Sequence, residues 1–359
     1  MTHMLTDAFC DGSTGIDIKY RIDGEVFNLR RLQAKTKVKT YNIRDLLFAD
    51  DCALSAGSEV ELQNLMNKFS TACSNFDLMI NTEKTEVMYQ PAHGNVYKEP
   101  MIMINGTKLK AAHRFTYLGS TLSQNINIDD EVNSRISMAS SSFGRLYANV
   151  WHRGGINLQT KLNVYRAAVL PVLLYASETW TIYTRHAKKL NHFHTNCLRK
   201  LLKIKRQDKI PDTTVLDRAG IPSINTILMK HQLRWAGHLV RMPDHRMPKI
   251  LFYSEMSSGK RSRGGQKKRF KDTLKSSIKS FEIKIDSWEK AARDRTSWRS
   301  LLRKGAKSCE AARQAASVLR RQKRKASAHE SQTVATISCP HCPRLFKARI
   351  GLTSHLRVH

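Results

Sequence analysis

The sequence predicts an α+β chain in three stretches: strands with one helix, then helices alone, then a small ββα unit at the end. Three observations carry this. Short apolar runs separated by Asp-Gly, Asp-Asp and glycine turns fill residues 1–125. From Asp129 onward, apolar residues recur at helical spacing. The last stretch, "CPHCPRLFKARIGLTSHLRVH" (339–359), sets two cysteines and two histidines at the spacing of a closed metal site.

The elements follow in order. "IDIKYRIDGEVFNLRRL" (16–32) alternates in character around Asp23-Gly24, the dipeptide of tight hairpin turns. "LLFADDCALSAG" (46–57) reads as a second hairpin centred on Asp50 and Asp51, with Leu46, Leu47 and Phe48 in one buried strand and Cys52, Ala53 and Leu54 in the other. Ser58 and Glu61 form a capping box, opening a helix whose Leu62, Leu65, Met66, Phe69, Ala72, Cys73 and Phe76 share a face. "LMINTEKTEVMYQ" (78–90) and "MIMINGTKLK" (101–110) are strand-like, and "RFTYLGSTL" (114–122) is extended with a glycine turn. Asp129, Asp130 and Glu131 suit a helix amino terminus, and Val132, Ile136, Ala139 and Phe143 begin its apolar stripe. Further stripes start at Leu158, Leu190 and Ile224; the last includes His231 and Trp235, read as core. A helix from Trp288 to Leu302 leads into a basic, then polar, linker at 319–336. Boundaries are therefore expected near 125/126, 256/257 and 336/337.

Charge divides the chain sharply. Of 61 Lys/Arg and 30 Asp/Glu, residues 1–150 hold 16 and 17, whereas residues 151–359 hold 45 and 13. Such a basic half points to a polyanion, DNA or RNA, as partner. Its densest run, "SSGKRSRGGQKKRFK" (257–271), contributes Lys260, Arg261, Arg263, Lys267, Lys268, Arg269 and Lys271 without one acidic residue. A charge run is also what a solvated surface looks like. "RRQKRK" (320–325) and "KRSRGGQKKR" equally suit nuclear import, so a nuclear location is expected. Seven scattered cysteines do not form a secreted disulfide framework. The longest apolar run, "AAVLPVLLYA" (167–176), is well short of the ~20 residues that span a bilayer, and no membrane partner is expected.

At the carboxyl end, Cys339, Cys342, His355 and His359 form a Cys-x2-Cys-x12-His-x3-His pattern. Two thiolates and two imidazoles close a tetrahedron around Zn2+ with no position left for substrate, so the metal would be structural. Phe346 and Leu352 fill the two core positions of such a finger. The helix positions that would face bases are Ala348, Gly351 and Ser354, none able to make a bidentate base contact. DNA, RNA and protein all remain open as what the finger binds.

Asp50 and Asp51 admit two readings: a solvated turn, or a carboxylate pair neutralised by a divalent cation. The order of neighbours decides which to pursue. Phe48-Ala49-Asp50-Asp51, a following helix, "INTEKTEVM" (80–88) and "FTYLGS" (115–120) resemble, in that order, the active-site segments of non-LTR (LINE-type) retrotransposon reverse transcriptases. "LPVLLYASETW" (170–180), "RWAGHLVRM" (234–242) and "GKRSRGGQKKRFKDTLK" (259–275) resemble what such elements carry after the polymerase, so the likeness runs from about residue 5 to 325.

The resemblance implies a partial right-hand polymerase palm over 1–125, a helical thumb-like and connection region over 126–256, and a basic helical region with linker over 257–336. A zinc finger follows over 337–359. It implies that Asp50 and Asp51 hold catalytic Mg2+, that Lys84 stabilises or protonates the pyrophosphate leaving group, and that Phe115, Tyr117, Leu118 and Gly119 support the primer end. It also implies a third metal-binding aspartate on an earlier strand, triphosphate-binding fingers and a Gln-Gly motif, none of which is matched here. The expectation is a truncated reverse transcriptase that binds zinc and nucleic acid but lacks polymerase activity. Mg2+ and deoxynucleoside triphosphates would be relevant only if the site were completed. Two alternatives stand beside it: a host-adopted zinc-finger binding protein, and an active enzyme if the reading frame continues upstream.

Overall fold

The structure is a computed structural model, and it describes residues 9, 14–92, 94–259, 266–330 and 337–357, with 328–330 described by backbone alone. Two compact units divide the chain, Met1–Lys307 and Ser308–His359.

Unit 1 opens with β1 (Ile16–Tyr20), which pairs antiparallel with β2 (Lys39–Ile43). Asp23-Gly24 does not make a tight hairpin between them; a long loop with a 3-10 turn at Leu29–Gln33 intervenes. Contacts distant in sequence override the local signal. Arg31 is buried and donates to the carbonyls of Glu25 at 3.0 Å and Tyr253 at 2.7 Å. Val26, fully buried, gives its N–H to Glu289 at 2.7 Å.

The hairpin of β3 (Asp45–Phe48) and β4 (Asp51–Leu54) follows, and then α1 (Glu59–Asn75). Ser58 caps α1 by accepting from the Glu61 N–H at 3.3 Å, while the Glu61 carboxylate reaches Gly57 rather than closing the box on Ser58. The helix buries Leu65, Met66, Phe69, Ala72 and Cys73 between two small apolar clusters, as its stripe predicts, but leaves Phe76 exposed. Short strands β5 (Glu86–Val87), β6 (Met103–Ile104), β7 (Thr107–Lys108) and β8 (Lys110–Ala111) occupy the two expected strand segments. Asn105 and Gly106, both at positive φ, turn β6 into β7. β9 (Arg114–Tyr117) and β10 (Ser120–Ser123) make the last hairpin of this stretch.

Helices then take over: α2 (Asp129–Arg145), α3 (Leu158–Val164), α4 (Leu170–Leu173), α5 (Thr184–Leu201), α6 (Asp212–Ala219), α7 (Ile224–Arg241) and α8 (Met247–Tyr253). Their stripes meet in one core around Phe143, Trp151, Tyr165, Leu190, Leu198 and Ile224. β11 (Ser254–Met256) then returns to pair with β1, giving a sheet of order β11-β1-β2. The strand-rich front is thus completed by a strand from beyond the helices.

α9 (Phe270–Ser280), α10 (Trp288–Arg293) and α11 (Arg295–Glu330) complete the helices. Asp294 separates the last two, accepting from the N–H groups of Thr296 and Ser297 at 3.2 and 2.8 Å. The segment from 319, expected as linker, is helical through Glu330, because its alanines, arginines, lysines and glutamine are strong helix formers; residues 331–336 lie outside the described residues. Unit 2 ends in β12 (Ile337–Ser338), β13 (Leu345–Phe346) and α12 (Arg349–Leu356), the expected ββα order.

Trp298 packs fully buried against α7, its indole N–H on the Leu233 carbonyl at 3.1 Å, and a Cβ at Gly237 would lie 2.2 Å from that nitrogen. Gly237→Ala should therefore lower unfolding free energy by about 1–3 kcal/mol. A urea midpoint unchanged from wild type would show that the indole has room to move.

Candidate functional site

Phe48 pairs with Asp51, so the β3–β4 turn consists of Ala49 and Asp50, one residue earlier than the sequence suggests. Ala49 takes a φ of +53°, in the left-handed region. Asp50 thus sits in the turn and Asp51 opens β4; both are exposed. Leu46, Leu47 and Phe48 are not buried: Phe48 is 63% exposed. The reason is that β3 pairs with β4 alone, so no further strand among the described residues covers it. On the other strand, Cys52 and Leu54 do pack inward against the α1 cluster, and burial pushes the Cys52 thiol up to about 12.

A second turn lies beside this one. Leu118 and Gly119, at φ +48° and +76°, connect β9 to β10. Tyr117 donates its hydroxyl to the carbonyl of Leu46 on β3 at 2.9 Å, tying the two hairpins together. Burial first, and then the nearby Cys52 and Asp51, raise the Tyr117 phenol above its usual range. Phe115, two residues along the same strand face, stacks on Tyr117 with ring centres 6.5 Å apart.

The Leu118–Gly119 turn is held from behind by residues that sequence reasoning does not single out. Arg135 donates to the Gly119 carbonyl, and Tyr175 gives its hydroxyl to the Leu118 carbonyl at 3.1 Å. Arg135 and Glu131 form a buried ion pair at 2.7 Å, and the same glutamate accepts from the Thr121 N–H at 2.6 Å. The signal available for Tyr175 is its place in "LYASETW"; for Arg135 and Glu131, four apart on a helix, there is only ordinary i,i+4 spacing.

Lys84 belongs to a compact turn: Asn81 accepts from its N–H at 3.0 Å through the side chain, and from Thr85 through the carbonyl. The ammonium is exposed, and no hydrogen bond or ion pair among the described residues joins it to Asp50 or Asp51. Of the basic run, Lys260, Arg261 and Arg263 lie outside the described residues. Lys267 and Lys268 are exposed, with Lys268 5.6 Å from the Tyr183 ring centre. Arg269 and Lys271 instead share Glu255, at 3.2 and 3.0 Å, and so brace α9 on β11. Burial lowers the Lys271 ammonium pKa, with Glu255 opposing it.

In unit 2, the ligating atoms of Cys339, Cys342 and His355 all lie within 4.8 Å of one another. The Cys339 N–H donates to the Arg344 carbonyl at 3.0 Å, closing the turn that brings the two cysteines together, and Phe346 packs 4.9 Å from the His355 ring. Although burial works against its thiolate, hydrogen bonds from the His341 N–H and Cys342 hold the Cys339 thiol below its ordinary range. His359 lies outside the described residues. The donor set, two sulfurs and an imidazole converging on one point, fits Zn2+.

The Asp50–Asp51 pair is another matter. Among the described residues no third carboxylate, His or Cys joins it within ligand distance. Two exposed carboxylates do not by themselves fit a pair of Mg2+ ions, which needs shared ligands from several strands.

The chain thus sets a two-aspartate hairpin beside a braced left-handed turn. Residues 26–122 match the reverse transcriptase (RNA-dependent DNA polymerase) family, a span that contains Asp50, Asp51, Lys84 and the whole Phe115–Gly119 segment. A transposon-derived protein of Caenorhabditis elegans is 26% identical over 282 residues, covering 75% of this chain and 98% of that protein. The RNA-directed DNA polymerases from mobile element jockey of Drosophila melanogaster and Drosophila funebris are 22% and 26% identical, over 46% and 43% of this chain. These likenesses support a retrotransposon reverse-transcriptase ancestry for the matched region. The chain spans only 19% and 17% of the two jockey polymerases.

The Cys339–Cys342–His355 cluster makes a direct prediction. The full chain should carry one zinc per molecule. Cys342→Ser should weaken binding at least tenfold, and His359→Ala should weaken it too if that residue closes the tetrahedron. Metal content unchanged in Cys342→Ser would remove the cluster as the site.

Proposed function

We propose that the chain is a retrotransposon-derived reverse transcriptase segment that binds nucleic acid and zinc, acts in the nucleus, and does not polymerise by itself. The observation that carries the reading is the tie from Tyr117 to Leu46, which sets the Asp50–Asp51 hairpin beside the Leu118–Gly119 turn. That juxtaposition supports a palm in which the turn meets a primer end. Among the described residues no third ligand joins Asp50 and Asp51, which supports inactivity of the chain alone. The charge of residues 151–359, 45 basic against 13 acidic, supports a nucleic-acid partner.

Nucleic-acid binding is tested in the full chain, since β11 and Glu289 complete the front of unit 1 and cutting at residue 150 would open it. Affinity for duplex DNA and for RNA should fall steeply with salt and show little sequence preference. Replacing Lys267 and Lys268 by Gln should reduce the log–log salt slope on duplex DNA by up to about 2, roughly one for each phosphate no longer neutralised. An unchanged slope would assign the binding elsewhere.

Primer extension is the second test. With magnesium or manganese, the chain alone should yield no product on a primed RNA template. Joined to the upstream half of a related element it should extend the primer, and Asp50→Asn with Asp51→Asn should abolish that. Robust synthesis by the unextended chain, lost in Asp50→Asn, would show that a carboxylate outside the described residues already completes the site.

A further inference from the structure

We infer that Arg135, Glu131 and Tyr175 are positioning residues for the primer 3′ end: a clamp from the helical region that fixes where the Leu118–Gly119 turn points. This rests on the palm reading proposed above.

The turn needs outside support. Two-residue hairpin loops with both residues at positive φ favour Asn-Gly, because the first residue must tolerate the left-handed region. Here that residue is Leu118, at φ +48°. A non-glycine residue held there persists only where its surroundings over-determine it. Three ties do so. Both carbonyls of the turn are taken, that of Leu118 by the Tyr175 hydroxyl at 3.1 Å and that of Gly119 by Arg135. Beyond the turn, the Thr121 N–H is bound by Glu131 at 2.6 Å.

The ties are themselves braced. Arg135 and Glu131 are nearly inaccessible, with side chains 6% and 4% exposed, and lie one helical turn apart on α2. The Arg135 guanidinium also sits 4.5 Å from the Tyr175 ring centre. A Cβ at Gly119 would meet that ring at an ordinary 3.7 Å, so the glycine is required by its φ of +76° and not by the tyrosine. On the opposite side the Tyr117 hydroxyl holds β3. What remains outside is the Leu118 side chain, 40% exposed.

Carbonyls on an exposed turn are satisfied by water at little cost. Here they are satisfied instead by an arginine from α2 and a tyrosine that follows α4. The consequence is that the helical region sets the turn's orientation relative to Asp50 and Asp51. It also gives "LYASETW" a function that its sequence alone does not disclose: its tyrosine is the reach of the helical region into the palm.

The test uses the full chain bound to a primer–template whose primer ends in photoreactive 4-thiothymidine, with crosslinks mapped by mass spectrometry. Wild type should crosslink within residues 115–122. Tyr175→Phe removes one oxygen and keeps the ring, so the fold and overall affinity (within twofold) should hold while those crosslinks fall at least fivefold or scatter. Arg135→Lys should do the same in part. A urea midpoint for each variant checks folding, and Tyr175→Phe decides the outcome if Arg135→Lys unfolds. Crosslinks unchanged in Tyr175→Phe would reject the clamp while leaving the palm reading intact. A wild-type chain that binds the primer–template but never crosslinks at 115–122 would reject both.

Discussion

The buried ion pair of Glu131 and Arg135 links the strand-rich front of unit 1 to its helices. Both side chains sit on the first turns of α2, out of water, where an unpaired charge would be strongly unfavourable. Each therefore requires the other, and each uses its remaining hydrogen-bonding capacity on the β9–β10 hairpin: Glu131 on Thr121, Arg135 on Gly119. Removing either partner leaves the other charge stranded, which typically costs about 3–5 kcal/mol. Removing both would leave the hairpin tied to the helical region by Tyr175 on Leu118 and by the Arg114–Asp130 ion pair at 2.9 Å. The pair therefore bears directly on the position of the turn, together with Tyr175 on Leu118 and Tyr117 on Leu46.

The β3–β4 hairpin shows the opposite condition. Its inward face is anchored by Cys52 and Leu54 on the α1 cluster, while Leu46, Leu47 and Phe48 on β3 face solvent. A two-stranded hairpin in water is marginal unless something packs on it, and here α1 covers only one side. Among the described residues β3 pairs with β4 alone, which leaves β3 exposed. What preserves the hairpin is the Tyr117 hydroxyl on the Leu46 carbonyl, a contact made by the neighbouring turn.

Much of this is legible in the sequence where local chemistry decides structure. Ser58 announces α1, and the Cys and His spacing marks the ββα end of unit 2, whereas the stretch from 319, expected as linker, is helical. Local signals fail where distant contacts decide. Asp23-Gly24 has the composition of a tight turn, yet Arg31 and Glu289 draw its loop into the interior. Ala49 is a poor turn residue by composition, so the sequence pattern points one position late for the β3–β4 turn. Asn105-Gly106, by contrast, is a strong hairpin signal, and it divides what the apolar pattern presents as a single strand. The clamp is invisible in the sequence because Arg135 and Tyr175 meet only through the fold. Each alone has an ordinary explanation, one as a helix-surface charge and the other as an aromatic in an apolar run.

The pairing of β1 with both β2 and β11 bears on how such a palm persists. β11 comes from residues 254–256, after α8, and Glu289 from further still; together they complete the sheet and seat Val26. Among the described residues the apolar side chains around α1 fall into two small clusters, and the sheet and Val26 draw on partners from beyond α8. Residues 151–307 share the compact unit Met1–Lys307 with the strand-rich front, so selection that keeps them folded keeps the front as well. Retention of the Asp50–Asp51 hairpin in a well-formed shape is then a consequence of shared stability. Shape alone therefore does not argue that the two carboxylates still hold metal: the fold would keep the hairpin either way.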